Sequence, residues 1–223
     1  MNRRGVGWQS SLAGARLVWR GLVATAAAII FTGSMIAPGF AEHVEANDFA
    51  PEQEQPLSPQ RADPQPKDGE LSDGLAASYW KIYVRDIKEI ADFVGRRKAK
   101  AGPPIAKLDY QVGQGNALTS GLSDGVGAEI KGYIKLDKPG IYRFLANSND
   151  GIRIKLDDAL LLEDPDVHGD QMTNWAEVNI TEPGWYDFYL LYFERKGTST
   201  LQFFWKAPDA DDYDIVPETA FAH

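Results

Sequence analysis

Cysteine is missing from all 223 residues, so no disulfide holds this fold and thiolate chemistry is excluded. Histidine occurs only three times, which offers too few N/S donors for a zinc site. Basic residues are fewer than acidic ones, 23 against 32, for a net charge of -9 and a pI near 4.8. A phosphate backbone needs a basic face, so nucleic acid is excluded as a partner. Cations and uncharged partners such as sugars remain allowed. Beyond residue 41 no run is apolar enough to cross a membrane. Aromatics, in contrast, are plentiful: 6 Trp, 9 Tyr and 10 Phe. The length suits one real core with a tail.

The N-terminus stands apart. Arg3, Arg4, Arg16 and Arg20 precede an uncharged run from Gly21 to Ala41 whose apolar heart is Leu22 to Phe31. Pro38 and Gly39 break a helix, and Gly39-Phe40-Ala41 places small residues where a signal peptidase cuts. Residues 1–41 therefore read as a secretory signal peptide. An uncleaved anchor is the competing reading, and it would be the one contact with a membrane. Removing these residues takes away four arginines and no acids, shifting the net charge from -9 to -13. The expected location is secreted, periplasmic or at the cell envelope. Residues 42–73 hold Pro51, Pro56, Pro59, Pro64 and Pro66 among many Gln, Glu and Asp. Such a composition buries too little apolar surface to offset ordering entropy, which predicts a disordered linker.

From Gly74 the chain reads as folded. Gly74 to Tyr83 alternates as a strand with aromatics on both faces. Ile87, Ile90, Ala91 and Val94 follow helical spacing, with Asp86 as N-cap and Arg96, Arg97, Lys98 and Lys100 at the far end, so a helix is expected over 86–100. After Gly102-Pro103-Pro104 the pattern is strand and turn. Strands are expected near 108–112, 126–136, 142–146, 152–156, 161–162, 176–180, 185–193, 200–205 and 215–221. Asn147 to Gly151 reads as the bend of a hairpin. Short strands at this spacing predict an all-β sandwich or barrel with one short helical insertion.

With those strands placed, the sequence resembles the PA14 domain family. Gly74-Leu75 with Ala77 to Trp80 is similar to its opening strand, and Val126 to Ile134 with Pro139 to Phe144 to its central strands. Ser148-Asn-Asp-Gly-Ile-Arg-Ile154 followed by Asp157 resembles its signature turn. His168-Gly169, Gly184-Trp-Tyr186, Tyr192-Phe-Glu194 with Gly197, Leu201, Trp205 and Pro217 to His223 follow in family order, covering 74–223. The resemblance implies an antiparallel β-sandwich or barrel that often binds carbohydrate. In lectin-like members, it further implies two adjacent aspartates joined by a cis peptide that hold Ca²⁺, with a second loop adding ligands. Here those positions are Asn149 and Asp150. Asn is neutral, and calcium affinity falls with ligand charge. The pair therefore reads either as a calcium site or as a structural turn.

The candidate metal ligands are Asn149, Asp150 and Glu194. The candidate sugar contacts are Asn149, Asp150, His168 and Trp175, with Trp175 expected as an exposed stacking platform beside Asn174 and with Trp80 and Tyr192 as further candidates. Tyr142, Phe144, Tyr186, Phe188 and Trp205 read as core. Acidic loops at 163–173 and 208–214 lack the EF-hand spacing and read as solvated charge. No nucleophile–base constellation is visible, so an enzyme is not expected. The expected function is an exported, lectin-like module at the cell envelope that binds a polysaccharide or glycoconjugate, with Ca²⁺ as its candidate cofactor. The alternative is a structural module whose partner is an envelope protein.

Overall fold

The computed structural model describes residues 51–67 and 69–223, all within the unit Glu42–His223. The expected signal peptide, and residues 42–50 of the expected linker, lie outside the described residues. Strands β1 (Ala76–Lys81), β2 (Lys100–Ala101), β4 (Val126–Leu136), β6 (Ile152–Leu156), β7 (Ala159–Asp164), β10 (Gly184–Glu194) and β13 (Phe221–Ala222) form a seven-stranded sheet. Its order is β2-β1-β4-β10-β6-β7, with β13 on β4. A six-stranded sheet orders β12 (Asp214–Ile215), β11 (Ser199–Lys206), β5 (Gly140–Asn149) and β8 (Gln171–Met172), with β3 (Asp109–Gly113) on β11 and β9 (Ala176–Ile180) on β5. All strand pairs named here are antiparallel. The expected all-β sandwich is what forms.

Period-two alternation explains the core. Val126, Ala128, Ile130 and Ile134 of β4, Tyr186, Phe188, Leu190 and Tyr192 of β10, and Tyr142 and Phe144 of β5 are buried together between the sheets. Phe203 of β11 packs 5.4 Å from Phe144 in its own sheet and 5.5 Å from Phe188 in the other.

The helix α1 (Ile87–Phe93) is shorter than expected. Asp86 does cap it, accepting the Lys88 N–H at 2.7 Å. Gly95, at φ +70°, ends it in the left-handed conformation that favours glycine, so the basic run lies beyond the helix instead of in its last turn. Ile87 and Ile90 bury against Trp80, Leu191 and Phe193 on the outer face of the large sheet.

Two further expectations are corrected. Tyr142–Ala146 and Ile152–Leu156 do not form a hairpin. β5 belongs to the small sheet and β6 to the large one, so Asp150-Gly151 carries the chain across the sandwich. The linker is also ordered from Pro51 over the described residues. Leu57 N–H donates to Glu177 O at 2.8 Å, and Asn179 N–H to Leu57 O at 2.7 Å, along the free edge of β9. Ala62 N–H donates to Trp185 O at 2.9 Å, and the Gln65 side chain exchanges two hydrogen bonds with the Trp185 backbone, each 2.9 Å. Composition counts apolar surface. This strap is held mainly by main-chain pairing to a strand edge, with Leu57 packed on the core.

No helix among the described residues is long and apolar enough to cross a membrane.

Candidate functional site

The tip of the sandwich is organised by the crossover. The Asn149–Asp150 peptide is cis. Gly151 follows where a Cβ would run into the Phe193 ring and into the Pro165 carbonyl oxygen, 2.9 Å away, which leaves room only for glycine. Asp150 N–H donates to Phe193 O at 3.1 Å, and Phe193 N–H to Gly151 O at 3.0 Å.

Both side chains of the pair reach the same two loops. Asp150 Oδ1 accepts the His168 backbone N–H at 3.1 Å, and Oδ2 accepts the Arg195 backbone N–H at 2.7 Å. Asn149 Nδ2 donates to Asp170 Oδ1 at 2.9 Å and to Thr198 Oγ1 at 3.0 Å. Since a carboxylate only accepts, the amide nitrogen must face Asp170. Tyr192 Oη, deep in the core, donates to Asn149 O at 2.6 Å. The pair is thus a double clasp between the 164–170 and 194–198 loops. Burial raises the Asp150 pKa, and the two backbone N–H groups oppose that rise.

Glu194 lies fully buried at the end of β10, in line with Tyr192, and neither carboxyl oxygen has a hydrogen-bond partner among the described residues. Burial, followed by the Asp124 and Asp150 charges, pushes its pKa up to about 7, while Lys81 and the Gly125 amide act the other way. That amide gives little help, because it donates to Arg195 O at 3.0 Å.

The other sequence candidates are more engaged than expected. Trp175 is half-buried, with the Arg143 guanidinium 4.9 Å from its ring centre and its carbonyl accepting the Glu52 N–H of the strap at 2.6 Å. It is not the open platform that the sequence predicts. His168 is half-buried, its Nδ1 2.6 Å from Gly169 O and its Nε2 3.3 Å from Asp164 Oδ2. Trp80 and Tyr192 are buried and offer no platform.

Calcium takes about 6–8 oxygen ligands and gains affinity from carboxylate charge. At this turn each Asp150 oxygen already accepts a backbone N–H, Asn149 presents N–H donors to its neighbours, and Glu194 is sealed. Among the described residues, no group of three or more acidic or histidine side chains is arranged to hold a metal ion. The donor set does not fit a calcium ion.

A different feature escapes sequence reading. The outer face of the large sheet carries a cleft of about 670 Å³, within the size range of small-ligand sites. Tyr133 and Tyr189, both half-buried, line it together with Lys131, Lys155, Asp157 and Asp187. Register makes Tyr133 the cross-strand neighbour of Asp187, and Tyr189 the neighbour of Lys131 on one side and Lys155 on the other. A smaller cavity under the strap shares Tyr133 and Asp187, so the groove continues beneath residues 62–67 and Glu70 and Leu71. Outward positions of β4 and β10 were the one available signal, but each looks like ordinary solvated surface until the strands are paired.

These features define an antiparallel two-sheet module with clasped tip loops and an open sheet face. A profile of the PA14 domain matches residues 107–219, half of the chain, and the chain belongs to the PA14 domain family. Solved structures with the same fold include the PA14 domain of the MpAFP antifreeze protein (18% identity, 73% of this chain and 96% of that one, TM-score 0.57). The PA14 sugar-binding domain from an RTX adhesin is similar (17%, 68% and 99%, TM-score 0.56). So is the epithelial adhesin 9 A domain of Candida glabrata in complex with Galβ1-3GlcNAc (13%, 75% and 96%, TM-score 0.58). A search of curated proteins returns no match.

Proposed function

We propose that this chain is an exported, non-catalytic carbohydrate-binding module that acts at the cell envelope on a polysaccharide or glycoconjugate. The observation that carries the reading is the match of the sandwich to nearly the full length of a PA14 sugar-binding domain and of an adhesin domain seen with a disaccharide. The acidic charge and the signal-like N-terminus support it. Calcium forms no part of the reading, because the tip donors are spent within the protein. Membrane contact would come only through residues 1–41 if they are retained.

The test is affinity electrophoresis of the protein through gels holding soluble β-glucan, xylan or galactomannan, with titration of lactose and Galβ1-3GlcNAc alongside. Retardation or saturable binding by one of these, unchanged by chelator, is the expected result. Free migration in every gel with no titration signal would sink the reading. A second reading, a structural module docking an envelope protein without sugar, is favoured by the use of Asn149 and Asp150 as loop ties. Stoichiometric co-purification with an envelope protein, without glycan binding, would select it.

A further inference from the structure

We propose that the glycan site is the outer-sheet cleft around Tyr133 and Tyr189, and that its ligand is an uncharged oligosaccharide lying across β4, β10 and β6. This inference rests on the carbohydrate reading and says where on the fold binding takes place.

The first argument is which part of the face stays open. The outward side chains of β10 are Trp185, Asp187, Tyr189, Leu191 and Phe193. Helix α1 covers Leu191 and Phe193. The strap pairs with Trp185 at the other end. Between them, exposed Asp187 and half-buried Tyr189, which also packs against the α1 cluster, line the cleft. Its ends are walled by elements that pack against the sheet.

The second argument is unspent hydrogen-bonding capacity. The side chains of Asp158, Asp187 and Lys155 line the cleft, and no residue in the described structure bonds or pairs with them. Lys131 has one loose contact, 3.7 Å from Glu129, and Asp157 accepts the Gln60 N–H at 3.1 Å. The tip is the opposite case, since its candidate residues are tied to one another. Partial desolvation and the neighbouring Asp157 and Asp158 raise the Asp187 pKa, in keeping with acids gathered in a recess.

The third argument selects the ligand class. Acceptors and donors alternate with aromatic rings: Tyr133 beside Asp187, and Tyr189 between Lys131 and Lys155. Neighbouring strands lie about 4.8 Å apart, close to the width of one sugar ring. A pyranose can lay its C–H face on a tyrosine while one hydroxyl donates to Asp187 and another accepts from Lys155. Three acids and two lysines nearly cancel in charge. A polyanion or polycation would be opposed by one set, whereas hydroxyls satisfy both.

The test repeats the gel and titration panel with the full chain and four variants. Tyr133→Ala, Tyr189→Ala and Lys155→Gln act in the cleft, and Trp175→Ala acts outside it, beside Arg143 on the small sheet. We expect each tyrosine variant to weaken binding ~3–10-fold, Lys155→Gln to weaken it less, and Trp175→Ala to bind as the parent does. Melting curves check folding, and Lys155→Gln, which removes no packed ring, keeps the test decisive if a tyrosine variant misfolds. Parent-like binding by all cleft variants, whatever Trp175→Ala does, would overturn the cleft assignment and leave the carbohydrate reading standing. No binding by the parent protein to any glycan would bring down both.

Discussion

Asp150 Oδ2 accepts the Arg195 backbone N–H at 2.7 Å, joining positions 45 residues apart. Its other oxygen holds the His168 N–H, so one nearly buried carboxylate fixes two loops at once. Asp150→Ala leaves two backbone donors without their acceptor, and each orphaned group costs ~1–3 kcal/mol. Urea unfolding should show a loss on the order of 2–4 kcal/mol with an unchanged m-value. The loss should be the same with calcium and with chelator. A change within experimental scatter would mean that the clasp adds nothing.

Asn149 makes a sharper case. Its amide nitrogen sits 2.9 Å from Asp170 Oδ1. Asn149→Asp replaces a donor by a second carboxylate at hydrogen-bond range, with Asp150 adjacent. Like charges at this range repel, and a divalent cation relieves them. In chelator the variant should melt several degrees below the parent, and ~1 mM calcium should restore part of the difference through binding to the native state. The parent should melt at one temperature in both buffers. A parent that gains stability with calcium would show that the neutral amide still leaves room for an ion.

The strands were legible because alternation reports which face a residue takes. Val126 to Leu136 and Trp185 to Phe193 fall where expected, within a residue or two. Alternation does not report the partner strand, so Tyr142–Ala146 and Ile152–Leu156 look like a hairpin although they lie in different sheets. Asp86 announces the helix start, while the stop at Gly95 is hidden by the basic run that continues the helix-like pattern beyond it. At the tip, the sequence pointed to Asn149 and Asp150 as the organising pair. It could not tell that their polar atoms face inward to the loops, since a side chain's partners arrive from 18 to 49 residues away. The cleft was invisible for the same reason: Tyr133, Lys155 and Asp187 become neighbours only once β4, β10 and β6 are paired.

Glu194 gives the fold a pH dependence. Its pKa is about 7 in the native state against an ordinary 4.5. A raised native value means that the folded protein holds the proton more tightly than the unfolded chain. The stabilisation is therefore full below about 4.5 and is lost as pH rises through 7. Glu194→Gln keeps the shape and removes the titration. It should be more stable than the parent at pH 8, on the order of 1–2 kcal/mol after allowing for solvent screening, and should flatten the parent's decline between pH 5 and 8. Parallel pH profiles for the two proteins would show that another group carries the dependence.

The strap turns a composition argument into a stability argument. Leu57 continues the small sheet beyond β9, Gln65 and Ala62 tie down the end of β10, and Arg61 pairs with Glu182 at 2.8 Å. The ion pair is exposed on both sides and adds little. The main-chain bonds are the substantial part, because without them the β9 edge presents bare N–H and C=O groups to other chains. A fragment beginning at Gly74 should fold, since the sandwich core lies beyond that point, but should melt lower than the longer chain and aggregate more readily on heating. Leu57→Asp in the longer chain should reproduce part of this by expelling a strap side chain packed on the core. Equal melting temperatures and equal aggregation for the fragment and the longer chain would mean that the strap lies on the surface without contributing to the fold.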